Sequence, residues 1–196
     1  MADLITLEEY KDYAGITSPT EDIKISLLVP AVSDLIKSYC SRRFNDYVDT
    51  DKVELFTIRG TQDLVILDEF PVISITSVEE RSSYGSDYVA LVDTDFDYYF
   101  DPELDAICRT TPSGPRFWSK GPASVKVTYR AGYETLPQDL VLAAYDLVTY
   151  YLKNEYRGYK MLNGAATNTP GSTGQKGNVT FPDHIKRVLD LYKTQI

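Results

Sequence analysis

Cysteine is scarce in this sequence: its 196 residues hold only Cys40 and Cys108. Two thiols so far apart make neither a disulfide framework nor a zinc site, and they fit reduced thiols in a protein made in the cytoplasm. Histidine is scarcer, with His184 alone. It lies in the first turn of an amphipathic segment with no Ser or Cys motif around it, so a surface or capping role is expected rather than that of a triad base. Long apolar runs are missing too. No segment approaches the roughly twenty apolar residues that a membrane span needs. The opening MADLITLEEYKDY has neither the basic nor the apolar region of a signal peptide. Phosphate loops, dinucleotide fingerprints and zinc spacings are absent as well. No nucleophile–base or metal constellation remains, so no enzymatic activity and no cofactor are expected.

What is present is ordinary in bulk. A hydrophobic share of 43% and a charged share of 25% suit a globular chain with room for one sizeable core. Charge is unevenly placed. The net charge is −9, with −13 over residues 45–105 and +6 over residues 106–196. An acidic middle beside a basic C-terminal half lacks the coherent basic face that nucleic-acid binding wants. It suits a molecule that meets copies of itself, acidic side to basic side. The plainer alternative is a set of solvated faces that keep the protein soluble.

The stretch from Tyr129 to Tyr156 organises the chain. Val125, Val127 and Tyr129 alternate with polar residues as a half-buried strand does, and Gly132 breaks that strand. Thr135, Leu136, Pro137, Gln138 and Asp139 then carry helix-start chemistry, with the N-cap open between Thr135 and Leu136. Leu140, Ala144, Leu147, Val148, Tyr151 and Leu152 recur at helical spacing, and Val141, Ala143 and Tyr145 widen the apolar face. A helix so broadly apolar belongs in the middle of the fold. Upstream, Thr6-Leu7-Glu8-Glu9 is a capping box opening a short helix that carries Leu7, Tyr10 and Tyr13 inward and stops at Gly15. Ser18-Pro19 signals a second helix running to about Tyr39. It has Ile23, Leu27, Ala31, Leu35 and Tyr39 on one stripe and an expected kink at Pro30.

Between them the spacing predicts about seven short strands, antiparallel rather than βαβ. They begin at Lys52, where Val53, Leu55 and Thr57 alternate against Glu54 and Phe56. The others cover Leu64–Leu67, Pro71–Val78, Tyr88–Val92, Phe96–Phe100, Ala106–Arg109 and Ser124–Tyr129. Residues 158–178, rich in Gly, Thr and Asn, predict a long mobile loop. Thr180-Phe181-Pro182-Asp183 echoes the earlier Pro-led start, and a last helix places Ile185, Val188, Leu189 and Tyr192 on one stripe. The expected fold class is α+β: a small bundle of about four helices with an inserted antiparallel β region and a long flexible loop before the C-terminal helix.

Candidate chemistry is thin. Asp93-Thr94-Asp95-Phe96-Asp97 opens like a calcium loop, but such a loop would need Gly at Tyr98 and Glu at Leu104. A strand with alternating exposed Asp is the expectation. Glu79-Glu80 and Asp68-Glu69 fail as paired catalytic carboxylates because neighbours on a strand face opposite ways. The sixteen tyrosines, with Phe117-Trp118, fit either ordinary strand residues or a sugar- or protein-binding surface. Arg42, Arg43, Arg157 and Lys160 are candidates for contact with nucleic acid or a partner, and Lys186 and Arg187 for contact with a partner.

Three stretches carry a resemblance. ITLEEYKDYAGI followed by a long helix ending SYCSRRF, then VKVTYRAGYETLPQDLVLAAYDLV, then FPDHIKRVLDLYK are similar to the head–tail connector (adaptor) family of tailed bacteriophages. They span roughly half the chain. The larger β segment between Asn45 and Lys126 and the Gly/Thr-rich loop depart from that pattern. The resemblance implies one connector-like domain over residues 1–196, with a helical frame of 1–44 and 127–196 and a β insertion of 45–126. It further implies a virion neck protein made in the host cytoplasm and assembled as a ring of about a dozen copies. Such a ring would meet the portal protein and a downstream stopper or tail-completion protein, enclose DNA without sequence-specific binding, and touch no membrane. The alternative is a non-catalytic sugar- or protein-binding module with a Tyr-rich β surface.

Overall fold

The computed structural model describes residues 2–153 and 181–193. The expected loop over 158–178 lies outside them. The chain divides into two compact units, Met1–Arg42 with Leu136–Ile196, and Arg43–Thr135. The first is helical and the second is β, so the fold is mixed α+β, with four α-helices and only antiparallel strand pairs among the described residues.

In the helical unit, α1 (Leu7–Ala14) begins at the capping box. The Thr6 hydroxyl accepts from the Glu9 N–H at 3.2 Å, and the Glu9 carboxylate accepts from the Thr6 N–H at 2.7 Å. Gly15, at φ +66°, closes it. Tyr10 is buried, its hydroxyl 3.0 Å from that of Thr149. Tyr13 stays half exposed with its ring stacked on Tyr145 at 4.6 Å. Ser18 caps a single 3-10 turn, Pro19–Glu21, which leads into α2 (Asp22–Cys40). The helix is continuous through Pro30.

Its buried face corrects one expectation. Ile25, Val29, Val32, Ile36 and Cys40 face inward, while Ile23 and Leu27 are 78% and 69% exposed. The segment is apolar on two sides, so periodicity offers two stripes about two residues apart, and packing against the rest of the bundle selects one. The N-terminal segment is tied to this helix. The Leu4 N–H donates to the Ser33 hydroxyl at 3.0 Å, and the buried Lys37 ammonium donates to the Ala2 carbonyl at 2.6 Å.

Helix α3 (Gln138–Leu152) buries Leu140, Ala143, Ala144, Leu147 and Val148 and packs on α2 and on α4 (Asp183–Asp190). It is the central helix. Its N-cap is neither Thr135 nor Leu136 but Pro137, whose carbonyl accepts the Val141 N–H at 3.1 Å. Pro182 does the same for Lys186 at 2.9 Å. Both prolines hold ψ near the extended value (135° and 140°), so each turns the chain into its helix and has no N–H to leave unpaired. The end of α4 is held by side chains. Tyr39 meets Phe181 edge-on at 4.7 Å and donates to Asp190 at 2.7 Å, and the Tyr192 hydroxyl donates to Asp139 at 2.6 Å.

The β unit has eight strands: β1 (Lys52–Ile58), β2 (Leu64–Ile66), β3 (Val72–Glu80), β4 (Val89–Leu91), β5 (Tyr98–Asp101), β6 (Ala106–Thr111), β7 (Gly114–Pro115) and β8 (Gly121–Ala131). One sheet runs β1-β8-β3-β4 and the other β2-β6-β5, with β7 on β6. The two-residue β7 is the strand that spacing did not predict. Ile58, Val78, Val125, Val127 and Tyr129 from the larger sheet share a core with Val65 and Ile107 from the smaller one and with Trp118.

Two buried ion clusters sit in this core. Arg109 donates from Nε to Glu80 at 3.0 Å, and Glu80 also accepts the Ser119 N–H at 2.7 Å. The same guanidinium donates to the Asp97 and Thr110 carbonyls and lies 5.8 Å over the Trp118 ring. With its partners in place such a buried pair is tolerable, and losing one leaves an uncompensated charge. Lys52 pairs with Glu54 and approaches Glu69 at 3.9 Å.

Candidate functional site

The candidate residues fall in different places. Arg42 is 1% exposed and donates to the Tyr192 carbonyl at 3.4 Å, so its visible work is inside the helical unit. Arg43 is half-buried, and its N–H donates to Glu69 at 2.8 Å. Arg157 and Lys160 lie outside the described residues. Lys186 and Arg187 are exposed on α4, away from the buried Ile185 and Leu189. Of the six, these two are presented to solvent on one helix, and neither makes an ion pair among the described residues.

Carboxylates divide as strand geometry requires. Glu79 faces out and pairs with Lys126 at 2.7 Å, while its neighbour Glu80 faces in to Arg109. Asp68 and Glu69 lie in a bend between β2 and β3 rather than on a strand, and there Asp68 is exposed and Glu69 buried. The Asp93 segment departs from the expected strand. Asp93–Asp95 is a 3-10 turn, Phe96 sits at φ +59°, and β5 starts only at Tyr98. Asp97 folds back, accepting the Val92 N–H at 3.1 Å and facing Arg109 at 3.4 Å. That inward demand on Asp97 curls the segment. Among the described residues no group of three His, Cys, Asp or Glu is placed to hold a metal ion.

Phe117-Trp118 is not a surface pair. Trp118 is core at 2% exposure, and Phe117 is exposed. His184 is exposed, 3.8 Å from Asp146. Cys40 is buried, which pushes its thiol up to about 12, and burial also raises Cys108. Neither thiol has the lowered pKa that nucleophilic chemistry needs. The Tyr129 hydroxyl is raised by burial first and by Glu54 second.

Spacing did not predict these exposed apolar positions: Ile23 and Leu27 on α2, Val53 and Leu55 on β1, Ile66 on β2, Phe96 just before β5 and Tyr99 on it. Asp93, Phe96, Tyr98, Tyr99, Thr110 and Pro115 help to line a pocket of about 390 Å³. Burial raises the Tyr98 hydroxyl, and the Asp93 charge adds to it. The only signal in the sequence was the Asp-Phe-Asp-Tyr-Tyr-Phe run, which spacing assigns to a plain strand. No helix among the described residues is long and apolar enough to cross a membrane.

Comparison with known proteins bears on the whole chain. The Head completion protein of Escherichia phage T5 is 25% identical over 195 residues, covering 97% of this chain and 98% of that one. Among solved structures, a chain in the neck of the empty gene transfer agent particle, computed with C6 symmetry, superposes with a TM-score of 0.58 at 14% identity. The match covers 98% of this chain and 91% of that one. A chain in the neck of the native particle, computed with C12 symmetry, gives 0.57 at 13% identity over 97% and 88%. These two share the fold. The profile of the family described as Head completion protein matches residues 3–195, both units together, and the chain belongs to that family.

Proposed function

We propose that this chain is a subunit of a ring in the neck of a tailed-phage virion, where it extends the portal, helps to retain packaged DNA and gives the tail a platform. Family membership over residues 3–195 carries this reading and makes the role structural, in the connection of head to tail. The gene transfer agent necks that share its fold were computed with sixfold and twelvefold symmetry, which supports a closed ring. The chemistry is consistent with a mechanical role rather than an enzymatic one, since the charged groups buried in the β unit are committed to one another. Lys186 and Arg187 are the proposed basic side of the contact between subunits, facing acidic β surface on a neighbour. The portal protein above and a stopper or tail-completion protein below are the proposed partners, with DNA enclosed and not read.

A sugar-binding module remains the second reading only for the Tyr-rich β surface. The burial of Trp118 and Tyr129 removes two of its anchors. Electron microscopy of the purified chain, alone and mixed with its portal protein, tests the proposal. Rings on the portal are expected. Monomers in both samples overturn it.

A further inference from the structure

The pocket at the start of β5 has an unusual combination of groups. Phe96 is 65% exposed and Tyr99 56% exposed, so two aromatic rings face solvent beside Tyr98 and Pro115. The threonine hydroxyls at its wall are already committed to backbone carbonyls. That of Thr110 donates to the Phe96 carbonyl at 2.6 Å, and that of Thr111 to the Gly114 carbonyl at 3.0 Å. The Asp93 carboxylate is different: no hydrogen bond or ion pair engages it among the described residues. Asp95, in the same turn, is exposed. An organic cation with an apolar stem fits this pocket, because the rings attract the charge from their faces and the carboxylate completes the pair.

Phe96 adds a second observation. It holds φ +59°, a region in which a bulky side chain is strained and glycine is not. The turn that brings Asp97 to Arg109 sets this conformation, and glycine would meet it without strain. An exposed aromatic ring in glycine's place buries little and so gains little for the isolated fold, which leaves it available to a partner.

The cation is available on the same chain. Arg187 is exposed on α4, beside Lys186 and away from the packed Ile185 and Leu189, and has no ion pair among the described residues. Arginine suits an aromatic-and-carboxylate pocket better than lysine, because its planar guanidinium stacks on rings while donating to oxygen. The balance of +6 over residues 106–196 against −13 over residues 45–105 favours one copy's basic helix meeting another's acidic β unit. We infer that Arg187 of a second copy docks between Phe96 and Tyr99 against Asp93, so that this pocket is the acceptor half of the contact between subunits. Repeated in one direction from copy to copy, such a contact is head-to-tail, the kind that closes into a ring. This inference rests on the ring reading proposed above and specifies its acceptor.

The test is sedimentation velocity of the full chain over a wide concentration range at low salt, with thermal melts alongside. Asp93→Arg and Arg187→Asp, each alone, should weaken self-association about tenfold or more, and the two together in one chain should restore most of it. Phe96→Gly should weaken association while melting no lower than wild type, since glycine relieves the strain and little ring burial is lost. A merely structural Phe96 would lower the melt, and that result overturns its assignment to the contact. Wild-type association that ignores both single charge changes overturns the pocket but leaves the ring reading standing. A wild-type chain that stays monomeric at every concentration, and makes no ring with its portal protein, overturns the ring reading itself.

Discussion

Gly132 is the position where one methyl group should do the most damage. It follows β8 at φ +119°, where its N–H donates to the Pro71 carbonyl at 2.9 Å. The next residue, Tyr133, donates from its N–H to the Phe44 carbonyl at 2.8 Å. A Cβ added at 132 would fall on that same Phe44 carbonyl oxygen, 3.0 Å from its carbon and 3.4 Å from the Val48 Cγ2. Neither side can yield cheaply. Phe44 is buried and itself at φ +60°, so shifting its carbonyl disturbs a second constrained residue. Backbone strain of this class costs about 1–3 kcal/mol, before the carbonyl is displaced. A total of about 3 kcal/mol or more for Gly132→Ala is a large part of a typical 5–15 kcal/mol stability. For a chain of this size it corresponds to a loss of roughly 6–12 °C in melting temperature. Trp118 is the only tryptophan and is buried in the same β unit, so its fluorescence reports on that unit during urea unfolding. Gly85→Ala, where an added Cβ meets nothing within 4 Å, is the control and should stay within about 0.5 kcal/mol of wild type. Coincident unfolding curves for the two variants would refute the reasoning.

Two further outcomes are expected. Leu147→Ala empties a fully buried position on α3 and should cost about 2–5 kcal/mol, followed by helical circular dichroism, whereas the half-exposed Leu142→Ala should cost little. Equal losses would mean that α3 does not bury the face described. Burial is the largest influence on the Glu54 carboxyl and raises it above its ordinary 4.5, with Lys52 pulling the other way. A raised acid contributes stability that is full below its unfolded value and is lost as pH rises through its folded value. Glu54→Gln should therefore flatten the fall in unfolding free energy above about pH 4.5, and parallel pH profiles for the two proteins would contradict it.

The parts of this fold that were legible in the sequence are those set by local chemistry. The Thr6 capping box, the Gly15 stop and the broad apolar face of α3 need only their own neighbours to exist, and they stand where spacing put them. Most strand positions were legible for the same reason, while β7 and the start of β5 were not. Faces were harder. On β1, Val53, Leu55 and Thr57 point out, while Glu54, Phe56 and Ile58 point toward the core. The register decides this, because Glu54 sits opposite Val127 and Val127 is core. An apolar alternation alone would have favoured Val53 and Leu55. Burying Glu54 is tolerable only because Lys52 neutralises it and the Asp68 N–H donates to it at 3.3 Å.

The candidate site was less legible, for a related reason. Charge was informative as a sum along the chain but misleading one residue at a time. Arg42 and Arg109 look like surface cations in sequence, yet each is drawn inside by partners far along the chain: the Tyr192 carbonyl for Arg42, Glu80 and the Asp97 segment for Arg109. That second demand also makes the pocket. Asp97 must turn inward to Arg109 and close on the Val92 N–H, so the chain before it curls into a 3-10 turn and forces Phe96 to φ +59°. The ring of Phe96 is then left beside Tyr99, outside the core that the alternation Phe96, Tyr98, Phe100 would have given it. A buried arginine thus determines which aromatic is exposed, and no spacing rule within residues 93–100 contains that information, because the deciding residue is Arg109.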